Sequence, residues 1–333
     1  MGEIMDNGYI GHPDQLMTVQ QGVLTQGKQN GVRFIGISNG AGLELTVLPD
    51  RCMDIYQVRF DGKNLAFINP CGIVHPSYFS RSDEGWFGTF TAGFLTTCGL
   101  TTIGVGAEEN GVKLNIHGVI GNMPASQVNV ERGETGGVPF VKLTGVMSEN
   151  MLGFNMTLTR EIMVRHGVNE IRIRDTVTNF GYKTAPHMIL YHCNMGYPLL
   201  SENAVIEINS SETRGRTAHA QDNIDKWRVV QKPQTEFEEI CFYHNIIPGA
   251  DDLSRAALKN PAEHIGVEVR YDPRTLDRFV QWSMFQKGTY VVGLEPCNGT
   301  IDGRDDAHRN GSLKSLAPGE SVTHSLAFGF LKV

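Results

Sequence analysis

FNMTLTREIMVRHGVNEIRIRDTVT, residues 154–178, is the stretch whose alternation decides the fold. Phe154, Met156, Leu158, Arg160, Ile162 and Val164 fall on one face of an extended chain, and Asn155, Thr157, Thr159 and Glu161 on the other. After His166-Gly167-Val168-Asn169 a second run begins, in which Ile171, Ile173, Asp175 and Val177 alternate with Arg172, Arg174, Thr176 and Thr178. Side chains two apart point the same way on a strand. Two such runs joined by a short Gly/Asn link therefore predict a β-hairpin.

Strand patterning extends outward from this hairpin in both directions. Residues 32–37, 43–48, 55–60 and 138–146 read as strands before or near it. Residues 204–208, 265–271, 279–285, 290–295 and 322–331 do so after it. One segment, Asp251–Lys259, reads as a short helix. Glycine accounts for 38 of 333 residues, above the usual ~7% and without a collagen period, which suits many tight turns. No linker tract or fixed-period repeat divides the chain. The expectation is all-β: a large antiparallel β-sandwich with few short helices, spanning residues 32–333 as a single domain, with residues 1–31 as an N-terminal extension packed on it. Residues 86–106, WFGTFTAGFLTTCGLTTIGVG, stand apart, because they are uncharged and rich in Gly and Thr. There the backbone is expected either to approach a ligand or another strand closely, or to form a tightly packed loop.

Charge and cysteine usage exclude several functions. Lys+Arg 29 against Asp+Glu 36 gives a net charge of −7, with no basic block, which argues against nucleic acid and against an anionic membrane surface. No apolar run is long enough for a transmembrane helix. The first residues, MGEIMDNGYI, have neither a basic start nor an apolar core, so no secretory signal is read. Cys52, Cys71, Cys98, Cys193, Cys241 and Cys297 are scattered without a CxxC pair. Reduced thiols and a cytoplasmic location are expected.

Four places carry groups that could do chemistry. In Pro186–Pro198, PHMILYHCNMGYP, His192 and Asn194 share a strand face and His187 points the other way. A strand histidine serves equally as a structural group, and that reading stays open. In TYVVGLEP, residues 289–296, an apolar strand ends in Glu295 before a proline that keeps it extended. A carboxyl desolvated there rises in pKa towards general-base territory, unless it reaches solvent or pairs with an arginine such as Arg304. In LPDRCMDI, residues 48–55, Arg51 stands between Asp50 and Asp54. It either hydrogen-bonds a ligand bidentately or forms a structural ion pair. His117, before Gly118, lies at another strand end. Of Trp86, Trp227 and Trp282, flanked by Gln281 and Ser283, Trp282 is the first choice to stack on a ligand. Dinucleotide, P-loop, nucleophile-elbow and HExxH motifs are missing. A metal site could arise only if the fold gathered His75, His117, His187 and His192.

LPDRCMDI, GWFGTFTAGFLTTCGLTTIG, IHG with the following IGN, LYHCNMGYPLL and LEPCN occur in this order over residues 30–330. Together they resemble an uncharacterised aldose 1-epimerase-like family of the galactose mutarotase-like superfamily. The resemblance implies a β-supersandwich and a sugar as small-molecule substrate. It implies that His192 protonates the ring oxygen while Glu295 takes the proton of the anomeric hydroxyl. It further implies that Arg51 and His117 contact the sugar and that Arg304 helps bind or orient it; Asn194 and Trp282 join the expected sugar contacts from their own strand positions. No cofactor or metal is expected, and the partners expected are a sugar and, at most, a second copy in a homodimer. Two positions depart from the pattern: Val119 stands where similar sequences carry Arg after His-Gly, and Tyr191 where galactose mutarotases carry Asn before the strand histidine.

The function expected is a carbohydrate epimerase of the mutarotase type. Two rivals remain at this stage: an isomerase or epimerase of keto sugars or sugar acids on the same scaffold, and a non-catalytic carbohydrate-binding domain. The acid–base pair argues against the second, and the acidic balance of the chain favours a neutral sugar.

Overall fold

A computed structural model describes residues 8–81, 85–109 and 111–333. Residues 1–7, which begin the N-terminal extension and the stretch read above for a signal, lie outside them. Three antiparallel sheets dominate. The first runs in sequence order through Thr18–Val23, Arg33–Ser38, Leu43–Leu48, Asp54–Phe60 and Lys63–Asn64. Its first strand thus comes from the N-terminal segment, with Gln20 opposite Gly36.

The second sheet contains the hairpin that decided the fold. Phe154–Arg165 pairs with Glu170–Asn179, and Ile162 faces Ile173 and Leu158 faces Val177 across the ladder. Ser126–Thr135 and Val138–Met151 extend the sheet on one side; Ser321–Leu331, Ile265–Tyr271, Ser254–Asn260 and Val205–Ile208 extend it on the other. The third sheet has the order Ser210–Gly215, Ile240–Ile246, Arg278–Gln286, Thr289–Cys297, Met188–Met195 and Leu95–Leu100. The expected large β-sandwich is therefore the fold.

Packing follows from the two-residue period. Phe279 of the third sheet stacks on Tyr271 of the second at 6.0 Å between ring centres. Phe94 meets Phe328 edge-on at 5.1 Å. Ile189, Tyr191, Cys193 and Met195 point from the His192 strand into this shared core. Each such apolar side chain contributes about 1.5–3 kcal/mol when fully buried. Its even-numbered neighbours, His192 among them, must then lie on the other face, and that face carries the cavity described below.

The expected helix at Asp251–Lys259 is a correction. Ser254–Asn260 is a strand with Ala256 opposite Val269 and Leu258 opposite Val267, and Val205–Ile208 pairs along its other edge. Local preference for helix is worth only tenths of a kcal/mol per residue, and ladders on both sides outweigh it. The α-helices are Ala218–Asp222 and Arg304–Arg309 among the described residues. All six cysteines are free, and Cys71 alone among them is incompletely buried. No helix among the described residues is long and apolar enough to cross a membrane.

Within residues 86–106 the backbone does approach its neighbours closely. Gly104 has φ +73°, and a Cβ there would lie 2.0 Å from the carbonyl oxygen of Ile301. Only glycine lets the chain turn so tightly at the edge of the cavity.

Candidate active site

The cavity, about 510 Å³, lies on the outer face of the third sheet. That volume is within the range of ~300–1,000 Å³ typical of small-molecule sites. Two rows of residues across the strands build its floor. In one, Cys241 pairs with Trp282, Trp282 with Gly293, and Gly293 with Asn194. In the other, Val280 pairs with Glu295, and the same register sets Glu295 opposite His192, which pairs on its far side with Thr96.

His192 Nδ1 and Glu295 Oε1 approach to 3.2 Å. The contact is not aligned as a hydrogen bond, and neither atom has a hydrogen-bond partner among the described residues. Asn194 Oδ1 is likewise buried and unpartnered, while its amide donates to the backbone carbonyl of His192. Buried polar atoms are rarely left unpaired unless a ligand or water completes them.

Gly293 explains how the carboxyl fits. A Cβ there would stand 2.1 Å from Glu295 Oε1, so the side chain of Glu295 lies along its own strand in the space that glycine leaves.

Burial sets the protonation of the pair. Glu295 is 2% exposed. Loss of water holds its carboxyl well above the usual range, and the negative charge of Glu239 adds to the effect. Desolvation pushes His192 down to about 4, and the nearby Asn194 side chain opposes this in smaller part. His117 is held well below its ordinary value, first by burial, then by the nearby His192 and Arg216. Burial thus favours the uncharged form of both groups, a protonated carboxyl and a neutral imidazole.

The walls are aromatic. Trp86 stacks on Phe90 at 4.2 Å and lies 4.9 Å from the ring of His117. His117 and Trp282 each meet His192 edge-on, at 5.5 Å and 5.3 Å. His117 itself has φ +56°, in the turn closed by its N–H donating to Gly104. The Nε1–H of Trp282 donates to Glu239 at 2.9 Å.

The fold thus brings His117, His192, Trp282 and Glu295 to one cavity. Asn194, on the same strand face as His192, is fully buried and is not among the lining residues. Arg51 stands outside the lining, buried, and donates to the carbonyls of Val74 (3.2 Å) and Thr89 (2.7 Å). It thereby ties down the loop that carries Phe90. Arg304 also stands outside, bonded to Glu109 and to the carbonyl of Thr101. Of the histidines considered for a metal, His75 caps a short turn and His187 bonds His324 at 3.0 Å. Among the described residues no cluster of three His, Cys, Asp or Glu is poised to hold an ion.

Sequence reading missed Arg216, Glu239, Cys241 and Asn69, all in the lining. Arg216 directly follows the strand Ser210–Gly215, and its N–H donates to Cys241, so it continues the Trp282 row. Its Nε bonds Asp302 at 3.1 Å, and Asp302 also accepts from Tyr243 at 2.7 Å. Strand register, once known, would have pointed to it; composition could not.

A large sandwich of antiparallel sheets with a histidine and a carboxyl buried side by side on its open face is a mutarotase-like fold. The chain belongs to the family described as Domain of unknown function (DUF4432), which matches residues 29–330. None of the curated proteins matches it in sequence. A candidate aldose 1-epimerase from Klebsiella pneumoniae subsp. pneumoniae MGH 78578 is 25% identical, with a TM-score of 0.89 over 96% of this chain and 86% of its own. A galactose mutarotase-like protein from Clostridium acetobutylicum is 12% identical, with a TM-score of 0.69 over 96% of this chain and 100% of its own. The galactose 1-epimerase of Lactobacillus acidophilus NCFM is 14% identical, with a TM-score of 0.60 over 95% and 99%. These last two are alike in fold.

Proposed function

We propose that this protein is a carbohydrate epimerase of the aldose 1-epimerase type, with His192 and Glu295 as its acid–base pair. The observation that carries the reading is their 3.2 Å approach on the floor of an aromatic cavity, with both facing atoms unpartnered.

Mutarotation consumes no net proton, and it needs one group to give a proton as another takes one. The pair holds a single transferable proton between its two members. With that proton on His192, Glu295 accepts from the anomeric hydroxyl while His192 donates to the ring oxygen. The C1–O5 bond breaks and the anomeric carbon becomes an aldehyde. Rotation about C1–C2 presents the other carbonyl face. On closure O5 attacks C1, its proton returns to His192, and Glu295 gives one back to O1. Burial disfavours the charged form of either group, so it favours the neutral partners, and the carboxylate–imidazolium pair that reacts is sustained by the close approach of the two groups. In this reading Trp282 and Trp86 offer apolar faces to the sugar, and His117, Arg216, Glu239 and Asn69 face its hydroxyls. Arg51 acts at one remove, by holding the Phe90 loop.

The test is magnetisation exchange between anomers by NMR, over a panel of aldoses, ketoses and uronates. Glu295→Gln and His192→Ala should each slow exchange of the best sugar by about 10²–10⁴-fold. Wild-type rates in both variants would refute the assignment, and tight binding of a sugar with no exchange would make the protein a carbohydrate-binding one.

A further inference from the structure

The reacting pair sits at a break in its own ladder. Between the His192 and Glu295 strands, Leu190 pairs with Cys297, Cys193 with Leu294 and Asn194 with Gly293. Among the described residues no ladder pair joins Tyr191 and His192 to Pro296 and Glu295, which the register places opposite them. Pro296 has no N–H to offer. One ladder hydrogen bond is therefore missing here between the His192 and Glu295 strands, whereas on its other side the His192 strand pairs without interruption with Leu95–Leu100.

Beneath the break, on the core side of the sheet, lies a fully buried ionic cluster that the proposed chemistry does not use. Tyr191, next to His192 and pointing the opposite way, donates its hydroxyl to Asp175 Oδ2 at 2.8 Å. Arg160 grips Asp175 through Nε and Nη2, at 2.9 and 2.6 Å. Its Nη1 donates to Asp54 at 2.9 Å and its Nη2 also to Thr97 at 2.8 Å. Thr97 is the cross-strand partner of Tyr191, and both its N–H and its hydroxyl donate to Asp54. Tyr191 is thus fixed from two directions.

We propose that Tyr191 is a positioning residue: the Asp175–Arg160–Asp54–Thr97 cluster, acting through it, pins the His192 strand where the ladder to the Glu295 strand is broken. The proposal rests on the reading of His192 and Glu295 as the reacting pair. Buried ions cost desolvation, and apolar residues of like volume would hold the sheets about as well. What directional bonds add is placement, and a displacement of about 1 Å is enough to cost ~10²-fold in rate.

Tyr191→Phe keeps the ring and removes the hydroxyl. Anomer exchange in this variant should lose about 10-fold or more in kcat with KM nearly unchanged. A control of lowered stability, Val267→Ala in the second sheet, should leave both constants as in the wild type. The imidazole of His192, titrated by NMR, should move upward in Tyr191→Phe as water reaches it. This readout does not depend on activity. A wild-type protein that exchanges no sugar would sink the function, while the titration would still decide the positioning role. A His192 titration unchanged in Tyr191→Phe overturns the proposal whatever the rates. Should that variant fail to fold, Thr97→Val, which removes the hydroxyl shared by Arg160 and Asp54, puts the same question.

Discussion

Glu295 is where sequence and chemistry meet most directly. An apolar strand that ends in Glu-Pro indicates a desolvated carboxyl, and in the structure burial does raise its pKa. Such a group makes stability depend on pH. The folded carboxyl binds its proton more tightly than the unfolded one, so between the unfolded value near 4.5 and the raised folded value the native state holds the extra proton. Stability due to Glu295 is present below that window and is lost as pH rises through it. His192 has the opposite sign: lowered from 6.5 to about 4, it contributes stability above 6.5 that is lost as pH falls towards 4. Glu295→Gln should therefore melt at a higher temperature than the wild type at pH 7 and match it more closely near pH 4. Scanning calorimetry at the two values checks this, and an equal or lower melting temperature at pH 7 would contradict the burial argument. Arg51 and Arg304 show the limit of reading residues singly. An arginine between two aspartates looks ready for a ligand, yet Arg51 donates through Nη1 and Nη2 to two loop carbonyls that no local pattern reveals.

Among the elements, the strands were legible because burial imposes period two. Ile265–Tyr271 and Leu43–Leu48 fall where the alternation puts them. The segment misread as helix shows the converse: Ser-Arg-Ala-Ala-Leu-Lys has helix-forming residues, but its neighbours on both sides supply ladders. Gly293 shows how one missing side chain shapes an element. Gly293→Ala would drive a methyl to 2.1 Å from Glu295 Oε1. The strand should still form, since this glycine does not have a left-handed φ. The carboxyl must turn aside, and exchange should fall by ~10²-fold with the circular dichroism spectrum unchanged. Retained activity would show that Glu295 works in another rotamer.

At the scale of the whole molecule, Arg160 joins three sheets. It stands in the second, reaches Asp54 in the first and Thr97 in the third, and is fully buried. Arg160→Met removes the charge and leaves Asp175 and Asp54 buried without their cation. Urea denaturation should show a loss of about 3–5 kcal/mol. A loss below about 1 kcal/mol would mean that water or a neutral carboxyl replaces the guanidinium. Part of this was readable, since Arg160 and Asp175 interrupt two apolar faces that the hairpin sets opposite each other. The third and fourth members come from residues 54 and 97, and no local pattern reaches that far.

The sequence by itself determined the β architecture and the pairing of the central hairpin, and it marked His192 and Glu295 as candidates at the ends of apolar runs. These depend on short-range periodicity and burial, which a chain writes into neighbouring residues. Tertiary structure alone decided that Arg216, Glu239 and Trp86 share a cavity with them, that Arg51 and Arg304 do not line it, and that Tyr191 is tied to an ion cluster under the site. Those facts depend on which strands pair and in what register. A register is set by the summed packing of the whole core, and one residue of slip would turn every one of these side chains to the other face.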